Sequence, residues 1–251
     1  MTKALEGRTA LVTGASGGIG AAIAKALAAG GATVIVHYRG NPQKADQVVA
    51  EIAATGGKAW PASADIADPE AIAGLFAAIG QRHDRLDIVV NGAGVFAAHP
   101  LSAVTAEHFN HLFGINVLGL LLVTQAALPL FGDDGGSIIN IGSLSGSMAS
   151  PGQSIYAGTK GAVDAITRSL SKELGPRRIR VNAVNPGAVE TPGLDGSGFM
   201  SASMRERILA STPLGRIGQP DDVASIVTFL ASDAARWVNG QIILAAGGLT
   251  Y

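Results

Sequence analysis

The chain has 251 residues, 47% of them hydrophobic and only 15% charged, with a formal net charge of −1. That length allows a sizeable core, and the balanced charge offers no basic excess to attract nucleic acid or an anionic membrane. With no cysteine in the chain, disulfides, thiol nucleophiles and Cys-ligated zinc are excluded.

The first residues, MTKALEGR, lack the apolar core of a signal peptide, which predicts a cytoplasmic protein. Thr9 to Thr13 form a short strand, and TGASGGIG, Thr13 to Gly20, follows it directly. Ile19, Ile23 and Leu27 then recur at fours until Gly30-Gly31 stops the helix. Strand, glycine turn and helix in that order bring backbone N–H groups up to a pyrophosphate, whose charge the helix dipole favours. The second strand, Thr33 to Tyr38, ends in HYRGN. In dinucleotide-binding folds this strand end meets the adenosine ribose, where an acidic residue selects the free 2′-hydroxyl and a basic one the 2′-phosphate. His37, Tyr38 and Arg39 offer no carboxylate, and Ser16 in the glycine turn adds a second donor, so NADP(H) is the expected coenzyme. One charge-assisted hydrogen bond at Arg39, about 1.5–3 kcal/mol, corresponds to a preference of roughly 10–100-fold.

Asn41-Pro42 caps the next helix, with Val48, Val49 and Ile52 on its inner face and Gly56-Gly57 at its end. Lys58 to Ala64 is the third strand and leads into Asp65-Ile66. Asp68-Pro69-Glu70 opens a helix whose Ile72, Leu75, Phe76 and Ile79 face inward. Leu86 to Val90 is the fourth strand, running into NGAG, Asn91 to Gly94. A long helical pattern extends from about Thr105 through Phe109, Leu112, Phe113 and Asn116 to Leu122. The longest greasy stretch, Leu118 to Leu130, is interrupted by Thr124, Gln125 and Pro129 and is too short to span a bilayer. His108 and His111 have no acidic third ligand at suitable spacing, so they read as solvated helix residues and no metal is expected.

Ile138 to Ile141 is a buried strand ending near Ser143, and a Gly/Ser/Pro-rich loop separates it from Tyr156 and Lys160. Four residues apart on a helix, phenol and ammonium stand one turn apart on one face. The cation is expected to favour tyrosinate and to lower the phenol's pKa from its ordinary value of about 10. A hydroxyl at Ser143 would bond the atom that the phenol protonates, which completes a general acid with a carbonyl polariser. The helix runs from Ser154 to Leu174, and the strand Arg180 to Val184 leads into Asn185-Pro186-Gly187. Between Pro192 and Thr212, Gly193, Gly196 and Gly198 alternate with Leu194, Phe199, Met200 and Met204; this predicts a substrate lid over about 190–212 in a single domain, 1–251. A helix, Asp221 to Leu230, and a strand, Gln241 to Leu244, close the chain. The alternation predicts an α/β Rossmann-like doubly wound parallel sheet of seven strands with helices on both faces.

With TGASGGIG, NGAG, Asn116 in INVLG, Ser143, Tyr156-x-x-x-Lys160 and PGAVET in view, the chain resembles the short-chain dehydrogenase/reductase family in its single-domain form, over essentially its whole length. The resemblance implies strand order 3-2-1-4-5-6-7 and a site at the C-terminal strand ends. It implies a catalytic tetrad of Asn116, Ser143, Tyr156 and Lys160. In it Tyr156 protonates the carbonyl oxygen as hydride arrives from the nicotinamide, and Ser143 holds that oxygen. Lys160 binds the ribose hydroxyls, and Asn116 anchors a water of the proton relay. The implied coenzyme contacts are Gly14, Ser16, Gly18, Ile19, Gly20, Tyr38, Arg39, Asp65, Ile66, Asn91, Ala93, Gly94, Pro186, Gly187, Val189 and Thr191, besides Tyr156 and Lys160. Asp65 would bond the adenine amino group, and Val189 and Thr191 would hold the nicotinamide carboxamide. Leu144 and Gln153, with Ser143, Tyr156 and Phe96, would line the substrate pocket. Gly92 departs from the usual Asn-Asn-Ala-Gly, and Ala246-Gly247-Gly248 from the usual Asp-Gly-Gly.

The activity so implied is NADPH-dependent, reversible reduction of a ketone to a secondary alcohol by a homotetramer acting on a small molecule. The 3-oxoacyl-carrier-protein reductases share this whole pattern. Their acidic carrier needs a basic docking face, and here Asp133-Asp134 precede the catalytic strand while Lys172, Arg177 and Arg178 remain available. A non-catalytic NADP sensor on the same scaffold would be free to lose Tyr156 or Lys160; this chain keeps both.

Overall fold

The computed structural model describes residues 3–191 and 201–249. Strands β1 (Thr9–Val12), β2 (Thr33–Tyr38), β3 (Lys58–Ser63), β4 (Ile88–Asn91), β5 (Gly136–Ile141), β6 (Ile179–Pro186) and β7 (Ile242–Ala245) form one sheet in the order β3-β2-β1-β4-β5-β6-β7. Every pairing is parallel. Strand order reverses between β1 and β4, and such a reversal opens a crevice at the C-terminal strand ends.

Alternation along the strands explains why both faces are covered. Ala10 and Val12 of β1 and Val34 and Val36 of β2 pack into one core with the helices α1 (Gly18–Ala29), α2 (Pro42–Ala54) and α8 (Pro220–Ala231). The intervening Leu11 and Ile35 point into a second core with α3 (Pro69–Arg82) and α5 (Leu120–Ala127). Strands buried on both faces carry near-continuous Val, Ile and Leu, as these do. The helices begin where side-chain caps place them: Asn41 accepts from Lys44 N–H with Pro42 in the first turn, and Asp68 accepts from Glu70 N–H with Pro69. Each cap is worth about 1 kcal/mol.

The element ends shift by a residue or two from expectation. Leu86 lies outside β4 and makes an isolated bridge to Phe131, while β6 runs on to Pro186, which pairs with Ala245. The helix read from Thr105 onward is interrupted: between α4 (Ala106–Phe113) and α5 the backbone winds as a π-helix, Gly114–Gly119. The whole helical run, Ala106–Leu130, is 25 residues long with a mean hydropathy of 1.8. By length and composition it is sufficient to cross a bilayer, contrary to expectation, but Ile115, Val123 and Ala127 are buried in the second core, which accounts for its apolar character. Of the expected lid, residues 192–200 lie outside the described residues. Its second half forms α7 (Ala202–Ser211), which buries none of its residues and is tied back by the ion pair of Arg205 with Glu190. α6 (Ser154–Glu173) carries the candidate acid.

Candidate active site

The glycine turn after β1 is held by close backbone approach. Gly14 has φ +69°, and a Cβ there would lie 2.8 Å from Ala93 Cα; a Cβ on Gly20 would lie 2.3 Å from the Gly14 carbonyl oxygen. A side chain at either position would collide with backbone and push apart the turn whose N–H groups and helix start suit a pyrophosphate. Thr13 Oγ1 accepts from the N–H groups of Gly92 (3.0 Å) and Ala93 (3.1 Å), locking the turn to NGAG. At Gly92 a Cβ would come within 2.8 Å of the Thr13 carbonyl. Gly18 lies against the side chain of Thr191, 3.4 Å from the position of its would-be Cβ, so the turn and the expected carboxamide-binding segment are neighbours. Ser16 and Ile19 sit half-buried on the same turn.

At the adenine end Arg39 Nη1 stands 3.8 Å from Asp65 Oδ2, and both side chains are largely exposed, at 58% and 43%. Asp65 also accepts from Ala67 N–H at 2.9 Å. Ile66 is buried and abuts Gly119, where a Cβ would meet it at 2.9 Å. Tyr38 is half-buried beside them. His37, one residue earlier, is buried; it receives the Gly14 N–H on Nδ1 (3.2 Å) and reaches the Ala64 carbonyl with Nε2 (3.1 Å). Nothing in the sequence reading marks it as a link; the usable signal is an ionisable residue inside a buried strand, which must be hydrogen-bonded.

Asn91, at the end of β4, directs its side chain away from the turn. Its amide points into the protein, donating to Thr124 Oγ1 (3.0 Å) and Asn140 Oδ1 (2.9 Å), and its own Oδ1 is buried without a partner. Asn140 in turn donates to Thr167 at 2.9 Å, so the chain of amides ties β4 to β5 and α6. Ala93 and Gly94 keep their places beside the turn. A Cβ on Gly94 would lie 3.2 Å from Asn116 Oδ1 and 3.6 Å from Lys160 Nζ.

Asn116, Ser143, Tyr156 and Lys160 converge at the ends of β4 to β6. Asn116 sits in the π-turn, which holds its side chain against the strand-end loop: Oδ1 accepts from Val95 N–H (2.8 Å), and Nδ2 donates to Val95 C=O (2.9 Å) and Thr159 Oγ1 (3.1 Å). π-turns of this kind recur at functional sites. Ser143 caps a short helical turn by accepting from Ser145 N–H at 3.1 Å. Lys160 is buried, with Nζ donating to Ile141 C=O at 3.0 Å and lying 5.8 Å from the Tyr156 ring centroid.

The expected lowering of the phenol's pKa is not what this arrangement produces. Burial raises it, with the Ser143 hydrogen bond drawing it partly back down. Burial acts on the ammonium as well, pushing Lys160 down to about 8 while the Asp164 carboxylate pulls it up. Burial raises the Asp164 carboxyl too, and Asn185 Nδ2 steadies it at 3.0 and 3.2 Å. Asp164, Asn185 and Thr159 support the tetrad from behind, and none was singled out from the sequence because their orientation appears only in the fold.

Phe96 stands edge-on to Tyr156, ring centroids 4.9 Å apart at 80°, and is 37% exposed. Leu144 is buried beside Ser143. Gln153 is buried as well, but its Oε1 faces its own loop, accepting from Ser150 N–H at 3.3 Å. His108 is not a plainly solvated residue: it stacks on His99 at 3.8 Å and 6°, and its Nδ1 is buried without a partner. Among the described residues no group of three His, Asp or Glu side chains is placed to hold a metal ion. Pro186 ends β6, and Gly187 follows against Ala246, 3.1 Å from its would-be Cβ. Val189 is buried and bridges to Gly218.

A glycine turn at the switch point of a parallel sheet, facing a Ser–Tyr–Lys–Asn cluster, defines an oxidoreductase site built around a nicotinamide nucleotide. A family model described as enoyl-(acyl carrier protein) reductase matches residues 14–250. An uncharacterized oxidoreductase of Methylorubrum extorquens is 51% identical over 245 residues, 98% of each chain. Versicolorin reductase 1 of Aspergillus parasiticus is 39% identical over 253 residues, 97% of each, and a 3-oxoacyl-[acyl-carrier-protein] reductase of Staphylococcus aureus 37% over 243, 96% of this chain and 98% of that one. Two solved structures, a reductase catalysing keto-reduction in lugdunomycin biosynthesis and a Burkholderia cenocepacia short-chain dehydrogenase in complex with NADP, each share 38% identity and a TM-score of 0.90, covering 98% of this chain and 99% of theirs. The chain belongs to the short-chain dehydrogenase/reductase family.

Proposed function

We propose that the protein is an NADPH-dependent reductase of ketones, with Tyr156 as the proton donor. The observation that carries this reading is the position of the Tyr156 ring, 5.8 Å from the buried Lys160 Nζ and edge-on to the accessible Phe96, at the strand ends beside Ser143 and Asn116. A phenol whose pKa burial has raised is fully protonated at neutral pH, the state a general acid needs. When bound, the nicotinamide supplies the hydride. As negative charge develops on the carbonyl oxygen, the Ser143 hydroxyl donates to it and Tyr156 passes its proton across. The tyrosinate left behind faces the Lys160 ammonium, which titrates at about 8 and is still charged at neutral pH.

The glycine cradle and the neighbouring Thr191 fit a dinucleotide, and Arg39 with no carboxylate before it favours the 2′-phosphate. The NADP complex of the Burkholderia relative supports the same choice. For the substrate we favour a flat aromatic ketone. Phe96 presents an accessible ring beside the acid, and relatives include a versicolorin reductase and a hydroxynaphthalene reductase-like protein. A 3-oxoacyl thioester is the second reading, favoured by the staphylococcal relative. Against it, Asp133 and Asp134 are exposed, and Asp134 engages Arg85 at 3.4 Å, removing a cation from any carrier-docking face. We further propose a cytoplasmic homotetramer, in which other copies cover the exposed Phe109, Leu118, Phe229 and Leu244.

The test is NADPH oxidation against bicyclic aromatic ketones and acetoacetyl thioesters, by wild type and Tyr156→Phe. The expected outcome is turnover of the aromatic ketones, falling about 10²–10⁴-fold in the variant with NADPH affinity unchanged. A variant that keeps most of its activity refutes the assignment of Tyr156. No turnover of any ketone despite NADPH binding turns the reading toward a coenzyme sensor.

A further inference from the structure

We propose that His37 is a positioning residue for the coenzyme, a neutral imidazole peg that fixes the start of the glycine turn to the adenine-side strand ends. The proposal rests on the nucleotide reading above.

His37 lies in β2 with 2% of its surface exposed. A buried imidazole is stable only if both ring nitrogens find partners. A backbone N–H can only donate, so the Gly14 bond to Nδ1 at 3.2 Å makes that nitrogen the acceptor. Nε2 therefore carries the hydrogen and donates to Ala64 C=O at 3.1 Å. Burial lowers the ring's pKa to about 4, which keeps this single tautomer neutral at physiological pH.

The backbone of the same residue completes the clamp. His37 C=O accepts from Ala15 N–H at 2.8 Å, so ring and carbonyl together take two successive N–H groups at the start of the turn. On the far side, Ala64 N–H donates to Tyr38 C=O at 3.1 Å, and Asp65 is the next residue. One side chain thus joins the ends of β1, β2 and β3, the three strands that border the adenosine half of the groove. Thr13 ties the turn to NGAG on one side, and His37 ties it on the other. The N-cap of α1, Gly17, makes no side-chain cap bond, so the helix's first N–H groups stay directed outward for the pyrophosphate. Their aim then depends on where Gly14 is pinned.

Isosteric variants separate this role from plain core packing. Asn places an oxygen near the site of Nδ1 and keeps the acceptor for Gly14; Gln places an NH₂ near Nε2 and keeps the donor to Ala64. The measurements are the Kd for NADPH, by its fluorescence, with kcat, KM and Tm. His37→Leu is expected to weaken NADPH binding about tenfold or more, the loss of one hydrogen bond's positioning, with kcat at saturating NADPH within twofold. His37→Asn should restore Kd to within about threefold of wild type, whereas His37→Gln should recover Tm but not Kd. If His37→Leu does not fold, tighter binding by the Asn than by the Gln variant still supports the proposal, and equal or reversed affinities overturn it. Variants that lower Tm alone and bind NADPH like wild type also overturn it. Failure of the wild type to bind either nicotinamide nucleotide would instead remove the nucleotide reading, and this proposal with it.

Discussion

The two ends of the proposed coenzyme groove are built on opposite principles. At the catalytic end Lys160 and Asn116 are 6% and 2% exposed, and Asn116 is held by three hydrogen bonds. At the adenine end Arg39 and Asp65 face solvent 3.8 Å apart, and among the described residues the guanidinium has no other carboxylate within salt-bridge distance. The first arrangement loses stability in order to desolvate a charge, because a low-dielectric site makes that charge act strongly on a developing one. In the second, an exposed pair is worth only about 0–1 kcal/mol, so it can be exchanged without touching the fold. Chemistry is placed where substitution is expensive and coenzyme choice where it is cheap.

Lys160→Met is the severest way to break that contrast. Loss of the cation beside Tyr156 should reduce turnover by about 10²–10⁴, the range for disabling a positioned acid. The same change should stabilise the coenzyme-free fold at pH 7 by about 1–3 kcal/mol, because a penalised buried charge disappears. The sign follows from the titration. Burial lowers the ammonium from 10.5 to about 8, so below that pH the folded protein carries a charge it disfavours. Between about 8 and 10.5 the unfolded chain binds more protons than the folded one, and stability rises with pH. Denaturant unfolding from pH 7 to 9.5 should show that rise in wild type and not in the variant.

Asn91→Ala sharpens the contrast by testing a residue that sits in the groove's wall but faces inward. It should lower stability by about 1–3 kcal/mol, since it strips partners from Thr124 and Asn140, while KM for NADPH stays within about twofold. A large KM effect with unchanged Tm would return Asn91 to the coenzyme contacts.

The smallest effect belongs to the exposed end. Arg39→Ala should reduce the preference for NADPH over NADH by about tenfold, roughly 1.4 kcal/mol, with Tm unchanged. The lower end of the expected range applies because binding a phosphate must compete with the Asp65 pair. Tyr38→Asp should reverse the preference by placing a carboxylate against the 2′-phosphate. Comparison of kcat/KM for both coenzymes checks it; equal use of both by wild type contradicts the assignment.

The fold was legible because its signals are local. Val34, Ile35 and Val36 announce a strand buried on two faces, and Asn41-Pro42 and Asp68-Pro69 announce helix starts. The tetrad was legible as a set of residue types at characteristic spacings, and the fold brings all four together. What escaped were matters of direction and dielectric. Nothing in NGAG says that the Asn91 amide turns toward Thr124 rather than the groove. The spacing of Tyr156 and Lys160 predicts an attraction but not the burial that outweighs it. His37 resembled an ordinary strand-end residue because its partners, Gly14 and Ala64, are 23 and 27 positions away.

The π-turn at Gly114–Gly119 has a genealogical consequence. A π-turn is a helix holding one residue too many, so the side chains before and after it are out of phase by about 100° relative to an uninterrupted α-helix. Leu112 before the π-turn and Val123 after it are both buried, and the extra residue sets the phase between them. Deleting any single position from 114 to 119 would restore regular i→i+4 bonding and yield a better helix. It would also swing Asn116 off Val95 and Thr159. Insertions and deletions here are therefore barred in both directions, and the length of this segment should be among the most constrained lengths in the chain, although no single residue in it explains why.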